Sequence, residues 1–319
     1  MKDAPRDTYP AYVPVSYRAF LRWRKFCRQT LVRLQERAAK RRPLDPRLAD
    51  GDAHYPPNGH PAANPPDALT KCAAWFEEDL QRPDVKAVAD SIRALKDELT
   101  RQGLRYTNTA GNFLPREYKA QYEPGKLWEN AWVIRHSDVR PGQRVLDIGG
   151  ASTIFSFYLA SLGCDVTVLD NDWSNCGILF NAAYVAKRMG WRLTALDRDV
   201  QRPLPFGEGT FDRVYSICVL EHLPSTLRQF LLTEIGRVLK PGGIAGFTTD
   251  YDHTRPVLTT DKGLRFAYKA KLERDVIHPS GLAIYGPADW ADHCSRESFL
   301  GAFFLQKASD QFRRERASL

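Results

Sequence analysis

From about residue 141 onward, short apolar strands alternate with helix-forming stretches, and this alternation limits the fold more than any other feature. Arg144–Gly149 (RVLDIG) reads as a strand, Thr153–Leu162 as a helix and Cys164–Asp170 (CDVTVLD) as a second strand. A helix at Ser174–Met189 and strands at Trp191–Leu196 and Phe211–Ile217 follow. A helix at Ser225–Leu239, the turn Lys240–Gly243 and a strand at Ile244–Asp250 complete the pattern. Strands this apolar are buried on both faces, and strands separated by helices run parallel. The expectation is a doubly wound, mostly parallel α/β sheet. Ligands in such sheets sit outside the carboxyl ends of the strands, near the switch point. The residues that end strands are therefore the ones to read.

The first strand runs into Asp147-Ile-Gly-Gly-Ala-Ser152. Glycines there let a ligand approach the backbone, and the next helix presents its positive end. The two glycines are adjacent, which departs from G-x-G-x-x-G and disfavours a pyrophosphate ligand. The second strand ends in Asp170, 23 positions after Asp147. An acid at that place accepts from both hydroxyls of a ribose; taken alone it reads equally well as a helix cap or a solvated loop residue. The third strand leads to Asp197-Arg-Asp199 and Val200, and the fourth to Ser216-Ile-Cys-Val-Leu-Glu-His222.

Five stretches in this order and spacing are VLDIGG (145–150), VTVLD (166–170), DVQRPLPF (199–206), FDRVYSICVLEHL (211–223) and EIGRVLKPGG (234–243). Together they resemble the class I S-adenosylmethionine (SAM)-dependent methyltransferases of the broad type 11, small-molecule and glycan kind. The resemblance covers about Arg144–Asp250 and implies a Rossmann-like fold with SAM as cofactor. By position it implies that Asp147, Gly149 and Gly150 line the methionine and ribose end of SAM and that Asp170 binds the ribose. It places Asp199 and the Val200 backbone at the adenine, Asp172 and Trp173 over the adenine face, and Ile217 and Cys218 beside the sulfonium. SAM has no phosphate, so carboxylates suit it better than an arginine cluster.

The implied activity is methyl transfer to a hydroxyl or amine of a small molecule or saccharide. His222, at the end of the fourth strand, is the first candidate for a general base, since imidazole takes a proton near neutrality. Asp250, Tyr251 and His253 follow the fifth strand and are candidates for acceptor contact, with His278 and Tyr285 behind them. Trp128 and Glu129, in GKLWENAW, either close over the cofactor or anchor a helix. Neither an Asn/Asp-Pro-Pro-Tyr/Phe motif nor a Pro-Cys pair follows the fourth strand, which counts against methylation of DNA bases. Of the terminal strands such domains carry, only Phe299–Lys307 (FLGAFFLQK) is clear. Ile277–Trp290 reads as an irregular loop and QFRRERASL as a solvated helix-like tail.

Charge is concentrated at one end. Residues 1–50 hold 13 Lys/Arg against 5 Asp/Glu, which accounts for the whole net charge of +8 and leaves the remainder neutral. Within it, Tyr17–Arg42 places Phe20, Trp23, Cys27, Leu31, Leu34 and Ala38 on one face of a basic helix. Such a helix docks on the main domain, on an acidic protein or on an anionic membrane surface. Nucleic acid is disfavoured, because a phosphate-tracking patch normally recruits the folded body too. The rival readings are an RNA methyltransferase using this segment, a SAM-binding module without turnover, and a nicotinamide-dependent oxidoreductase, which the adjacent glycines disfavour.

The domains expected are the basic extension at 1–50, a Pro-rich linker at 51–70, a helical segment at 71–120 and the SAM-binding domain at 121–319. Within 71–120 the helical pattern runs from Thr70 to Gln102, breaks near Pro83 and stops at Gly103. The six cysteines form no C-x-x-C pair, so neither zinc nor a disulfide framework is implied, and a reducing cytoplasm is the simplest setting. No apolar run reaches the ~18–20 residues of a membrane span, and no secretory leader is evident.

Overall fold

A computed structural model describes residues 72–74, 77–106, 116–170, 177–250, 276–286, 288–289 and 300–308. The basic helix at 17–42, the linker at 51–70 and the tail from 309 lie outside these residues.

The expected alternation is present. Strands β2 (Arg144–Ile148), β3 (Asp165–Asp170), β4 (Leu193–Asp197), β5 (Phe211–Ile217) and β6 (Leu239–Asp250) pair in parallel in the order β4-β3-β2-β5-β6. The order reverses between β2 and β5, which puts the switch point at their carboxyl ends. Val145, Leu146, Val166, Val168, Val214, Tyr215, Ala245 and Phe247 are fully buried, filling both faces of the sheet. Helices α3 (Ile154–Ser161), α4 (Ile178–Met189) and α5 (Ser225–Val238) fall between the strands. The sheet continues through β9 (Leu300–Gln306), which runs antiparallel to β6 along its full length.

Beyond β9 the structure departs from the sequence reading. Cys72–Ala74 is a strand, β1, antiparallel to β9 and parallel to the short β8 (Ala288–Asp289). The segment 71–120 is thus not wholly helical, because its start completes the sheet edge beside the last strand. Three residues carry too little periodicity to be told from a helix by pattern. Ala283–Ile284, β7, also pairs with β9, and His278–Ser280 makes a helical turn, so the stretch expected to be an irregular loop holds three short elements.

Pro83 starts a helix rather than interrupting one. It occupies the first turn of α1 (Pro83–Arg101), where its missing N–H costs nothing. Val85, Ala89, Ile92 and Leu99 form the buried stripe of α1, which packs on α2 (Arg116–His136). Helix α2 runs through the boundary expected at 120/121. Within it Trp128 stacks on Trp132 with ring centroids 5.2 Å apart and donates Nε1–H to Asp79 Oδ2 at 3.0 Å. Trp128 is an anchor of the core.

Helix α3 is apolar all round and buried from Ile154 to Ala160. Its start is fixed by Thr153, whose Oγ1 accepts from the Ser156 N–H at 3.3 Å and donates to the Gly150 carbonyl at 2.7 Å. Thr153→Ala should cost about 1–2 kcal/mol in denaturant unfolding. Thr153→Ser should recover most of that loss.

Candidate active site

The turn after β2 is built around Asp147, whose side chain is fully buried. Gly149 has φ +83° and donates its N–H to the Leu169 carbonyl of β3 at 2.8 Å. A Cβ on Gly149 would lie 2.5 Å from Val219 Cγ2, just past the end of β5, and a Cβ on Gly150 would overlap the Asp147 carboxyl group. The glycines are required by close approach of two strand ends and of a carboxylate. Ser156 Oγ lies 2.5 Å from Asp147 Oδ2 and 2.6 Å from the Gly150 carbonyl. Asp147 Oδ1 is buried and has no hydrogen-bond partner among the described residues. Burial pushes the Asp147 carboxyl up to about 7, against the Ser156 bond that pulls it down and with the Asp170 charge that raises it.

The other acidic strand ends fall along the same edge. Asp170 closes β3 opposite Asp197 of β4, and its carbonyl accepts from the Arg198 N–H at 3.0 Å. Asp199 is exposed, and its Oδ1 accepts from the Gln201 N–H at 3.0 Å, holding its own turn, while Val200 beside it packs against the core.

At the end of β5, Ile217 pairs with Thr248 and Cys218 follows at φ +51°. The Cys218 N–H donates to the Thr248 carbonyl at 3.0 Å and to Thr248 Oγ1 at 3.1 Å. Its thiol donates to Glu129 Oε1 of α2 at 2.6 Å. Thr248 Oγ1 donates to the same oxygen at 2.8 Å, and Lys126 Nζ lies 2.7 Å from Glu129 Oε2 and 3.3 Å from Cys218 Sγ. Burial pushes the Cys218 thiol well above its usual range, reinforced by Glu129. Burial opposes the charge on Lys126, but Glu129 outweighs it and keeps the ammonium protonated far above the usual lysine range.

Ser152, at φ +60°, stands in the left-handed region like Cys218 and Asp138, and its Oγ accepts from Asn181 Nδ2 at 2.9 Å.

The remaining candidates are less well gathered. The His222 side chain is 68% exposed, with Nε2 4.0 Å from Glu221 Oε1. It sits in a single 3-10 turn, Leu220–His222, that Arg228 clamps by donating to the Leu220 and Leu223 carbonyls at 3.0 and 2.8 Å. His278 is exposed. Tyr285 is at the wrong edge for acceptor contact: its hydroxyl donates to Asp138, which precedes the start of β2. Asp250 pairs with Leu300 through its backbone. Asp172, Trp173, Tyr251 and His253 lie outside the described residues. The sequence reading missed Ser156, Lys126 and Thr248. The i,i+3 spacing of Lys126 and Glu129 was the available signal for the pair.

Residues 145–243 match the methyltransferase domain family. That segment is similar to the class I SAM-dependent methyltransferase domains. Among relatives, the sterol 24-C-methyltransferase of Kluyveromyces lactis is 26% identical over 256 residues, covering 71% of this chain and 66% of that enzyme. The sterol 24-C-methyltransferase of Schizosaccharomyces pombe is 33% identical over 188 residues, covering 56% and 48%. The ubiquinone biosynthesis O-methyltransferase of Vibrio parahaemolyticus is 29% identical over 136 residues, covering 43% and 55%. The chain spans about half the length of most curated relatives it matches. The fold also matches the [4+2]-cyclase SpnF, with a TM-score of 0.50 at 18% identity over 74% of this chain and 97% of that one. That likeness concerns the fold alone, and a cyclase on it shows that fold does not dictate reaction.

SAM is the cofactor of this domain family. The residues present fit it: the glycine turn admits close approach, the unpartnered Asp147 Oδ1 can accept from an ammonium, and Asp170 can accept from ribose hydroxyls.

Proposed function

We propose that the chain is an active methyltransferase that moves the SAM methyl group to a hydroxyl or amine of a small molecule or saccharide. The observation that carries this reading is the buried Asp147 carboxyl, held against a glycine turn at the switch point with one oxygen unpartnered among the described residues. Bound SAM supplies an electrophilic methyl group for in-line displacement. The chain's own residues align it: Asp147 at the cofactor's charged end, Asp170 at the ribose, and the β5 end, with Ile217 and Cys218, as the wall beyond. Alignment of this kind supplies several orders of magnitude in rate. A small acceptor is supported by the charge balance of residues 51–319 and by relatives named for sterol and ubiquinone chemistry.

Labelled methyl transfer from SAM into separated small-molecule, glycan, protein and RNA fractions tests the reading. Label in the first two pools is expected, with or without residues 1–50. Label in RNA that disappears with residues 1–50 would replace the acceptor class. SAM binding with no label anywhere would leave a binding module. Asp170→Ala should weaken SAM binding by about 1–3 kcal/mol through lost charge-assisted bonds, read by calorimetry. Unchanged affinity would remove Asp170 from the ribose site.

A further inference from the structure

The network at the end of β5 is larger than packing requires. Four polar groups from three elements meet there: Lys126 and Glu129 from α2, Cys218 after β5 and Thr248 from β6. A single carboxylate accepts from a thiol and a hydroxyl and forms an ion pair with an ammonium. The Glu129 side chain has no exposure and that of Lys126 only 15%. A buried ion pair is a poor way to gain stability, since desolvation offsets most of the attraction. Its place suggests another use. Cys218, bonded to Glu129, adjoins Val219, whose side chain lies against the Gly149 turn, so the pair is linked to that turn through one residue.

The orientation of the cofactor follows from the acids. With the ribose on Asp170 of β3, the sulfur and methionine portion must extend toward β2 and β5. That portion is where the cofactor differs from its product: SAM carries a sulfonium cation, and S-adenosylhomocysteine a neutral thioether. We propose that Lys126 and Glu129 form a charge-balanced pair that keeps the crevice electrostatically even-handed between the cationic cofactor and its neutral product, so that either charge alone shifts that preference. The inference rests on the cofactor reading above.

The charge count is defined. The thiol of Cys218 is neutral and Lys126 is cationic. Glu221, buried one turn further on, acts on the same thiol and is constant across the variants below. Removing the Glu129 charge leaves an uncompensated ammonium that repels the sulfonium and not the thioether. Removing the Lys126 charge leaves an uncompensated carboxylate with the opposite effect. Unit charges on the order of 10 Å apart in partly dry protein give about a tenfold difference. In the native pair the two fields cancel, so the product is not held back by a site tuned only for the cation.

The test is equilibrium binding of SAM and of S-adenosylhomocysteine to the full chain and to Glu129→Gln, Lys126→Gln and the double variant, each checked by thermal melting. The ratio Kd(S-adenosylhomocysteine)/Kd(SAM) should fall about tenfold in Glu129→Gln and rise about tenfold in Lys126→Gln. In the double variant it should return to within about threefold of wild type. A merely structural role would change both affinities together and leave the ratio fixed, which would overturn the proposal. If Glu129→Gln does not fold, Lys126→Gln and the double variant still decide the sign. Wild type that binds neither ligand would overturn the cofactor reading itself, whereas wild type that binds both while the ratio stays put overturns only this inference.

Discussion

At pH 8 and without cofactor, Asp147→Asn should melt above wild type, yet bind SAM about a hundredfold more weakly. The reason lies in the burial of the Asp147 carboxyl group. One hydroxyl hydrogen faces two oxygens, Asp147 Oδ2 at 2.5 Å and the Gly150 carbonyl at 2.6 Å. A protonated Asp147 resolves this by donating to Ser156, which then donates to Gly150. An ionised Asp147 leaves one oxygen short and a charge in dry protein beside Asp170. Burial holds the carboxyl at about 7 rather than near 3.8, the Asp170 charge adding to the rise and the Ser156 bond opposing it.

The sign follows from linkage. A carboxyl raised in the folded state contributes stability that is complete below about pH 4 and is lost as pH rises toward about 7. Each unit is worth about 1.4 kcal/mol, so ionised Asp147 costs the apo fold on the order of 4 kcal/mol at pH 8. Asparagine carries no such cost, and a gain of even ~1 kcal/mol raises the melting temperature by about 2–4 °C. The gap should narrow steadily as pH is lowered from 7 to 4. The cofactor reverses the preference, because its cationic end favours the carboxylate. SAM binding to wild type should therefore tighten up to about pH 7 and release a proton on the way, seen by calorimetry in buffers of different ionisation enthalpy. Equal melting temperatures at pH 8, or SAM affinity retained in the variant, would remove Asp147 from this role.

The parallel core was legible because its strands are long, apolar and regularly spaced, and buried strands read as apolar runs. Strand β9 was legible for the same reason. Strand β1 was not: Cys72–Ala74 has three residues, and only its pairing with β9 and β8 makes it a strand. Pro83 was read as a break because pattern alone does not distinguish a helix interrupted by proline from one that begins with it.

At the site, strand-end position revealed the backbone frame but not the side-chain directions. Asp147, Asp170 and Ile217 all reach the expected edge. The contact between Gly149 and Val219 depends on a neighbouring strand 70 positions away, which no local pattern encodes. The bond from the Cys218 thiol to Glu129, at a left-handed residue, was not legible, because φ at a non-glycine residue is not visible in sequence. His222 was chosen for its chemistry and its place in the chain, but the turn that carries it leaves the ring largely in solvent.

Gly150→Ala should abolish SAM binding and cost about 2–3 kcal/mol or more of stability, the range in which forced overpacking falls. The backbone at Gly150 is not in the left-handed region, so an alanine there meets no conformational penalty. The three nearest atoms to the new methyl all belong to the Asp147 carboxyl group, which it would overlap. That makes the collision separable. Adding Asp147→Ala in the same chain removes the obstructing oxygens and should recover most of the lost stability while leaving SAM binding absent. Gly149→Ala supplies the contrast, since φ +83° strains any L-residue and Val219 crowds the methyl from the opposite strand end. There Val219→Ala should relieve only part of the cost. Denaturant unfolding of the single and double variants measures both couplings. A stable Gly150→Ala protein that still binds SAM would mean that the turn yields and that Asp147 is not fixed against it. Recovery of stability without recovery of binding separates the two demands on this turn: the glycine is there to make room for the carboxylate, and the carboxylate is there for the cofactor.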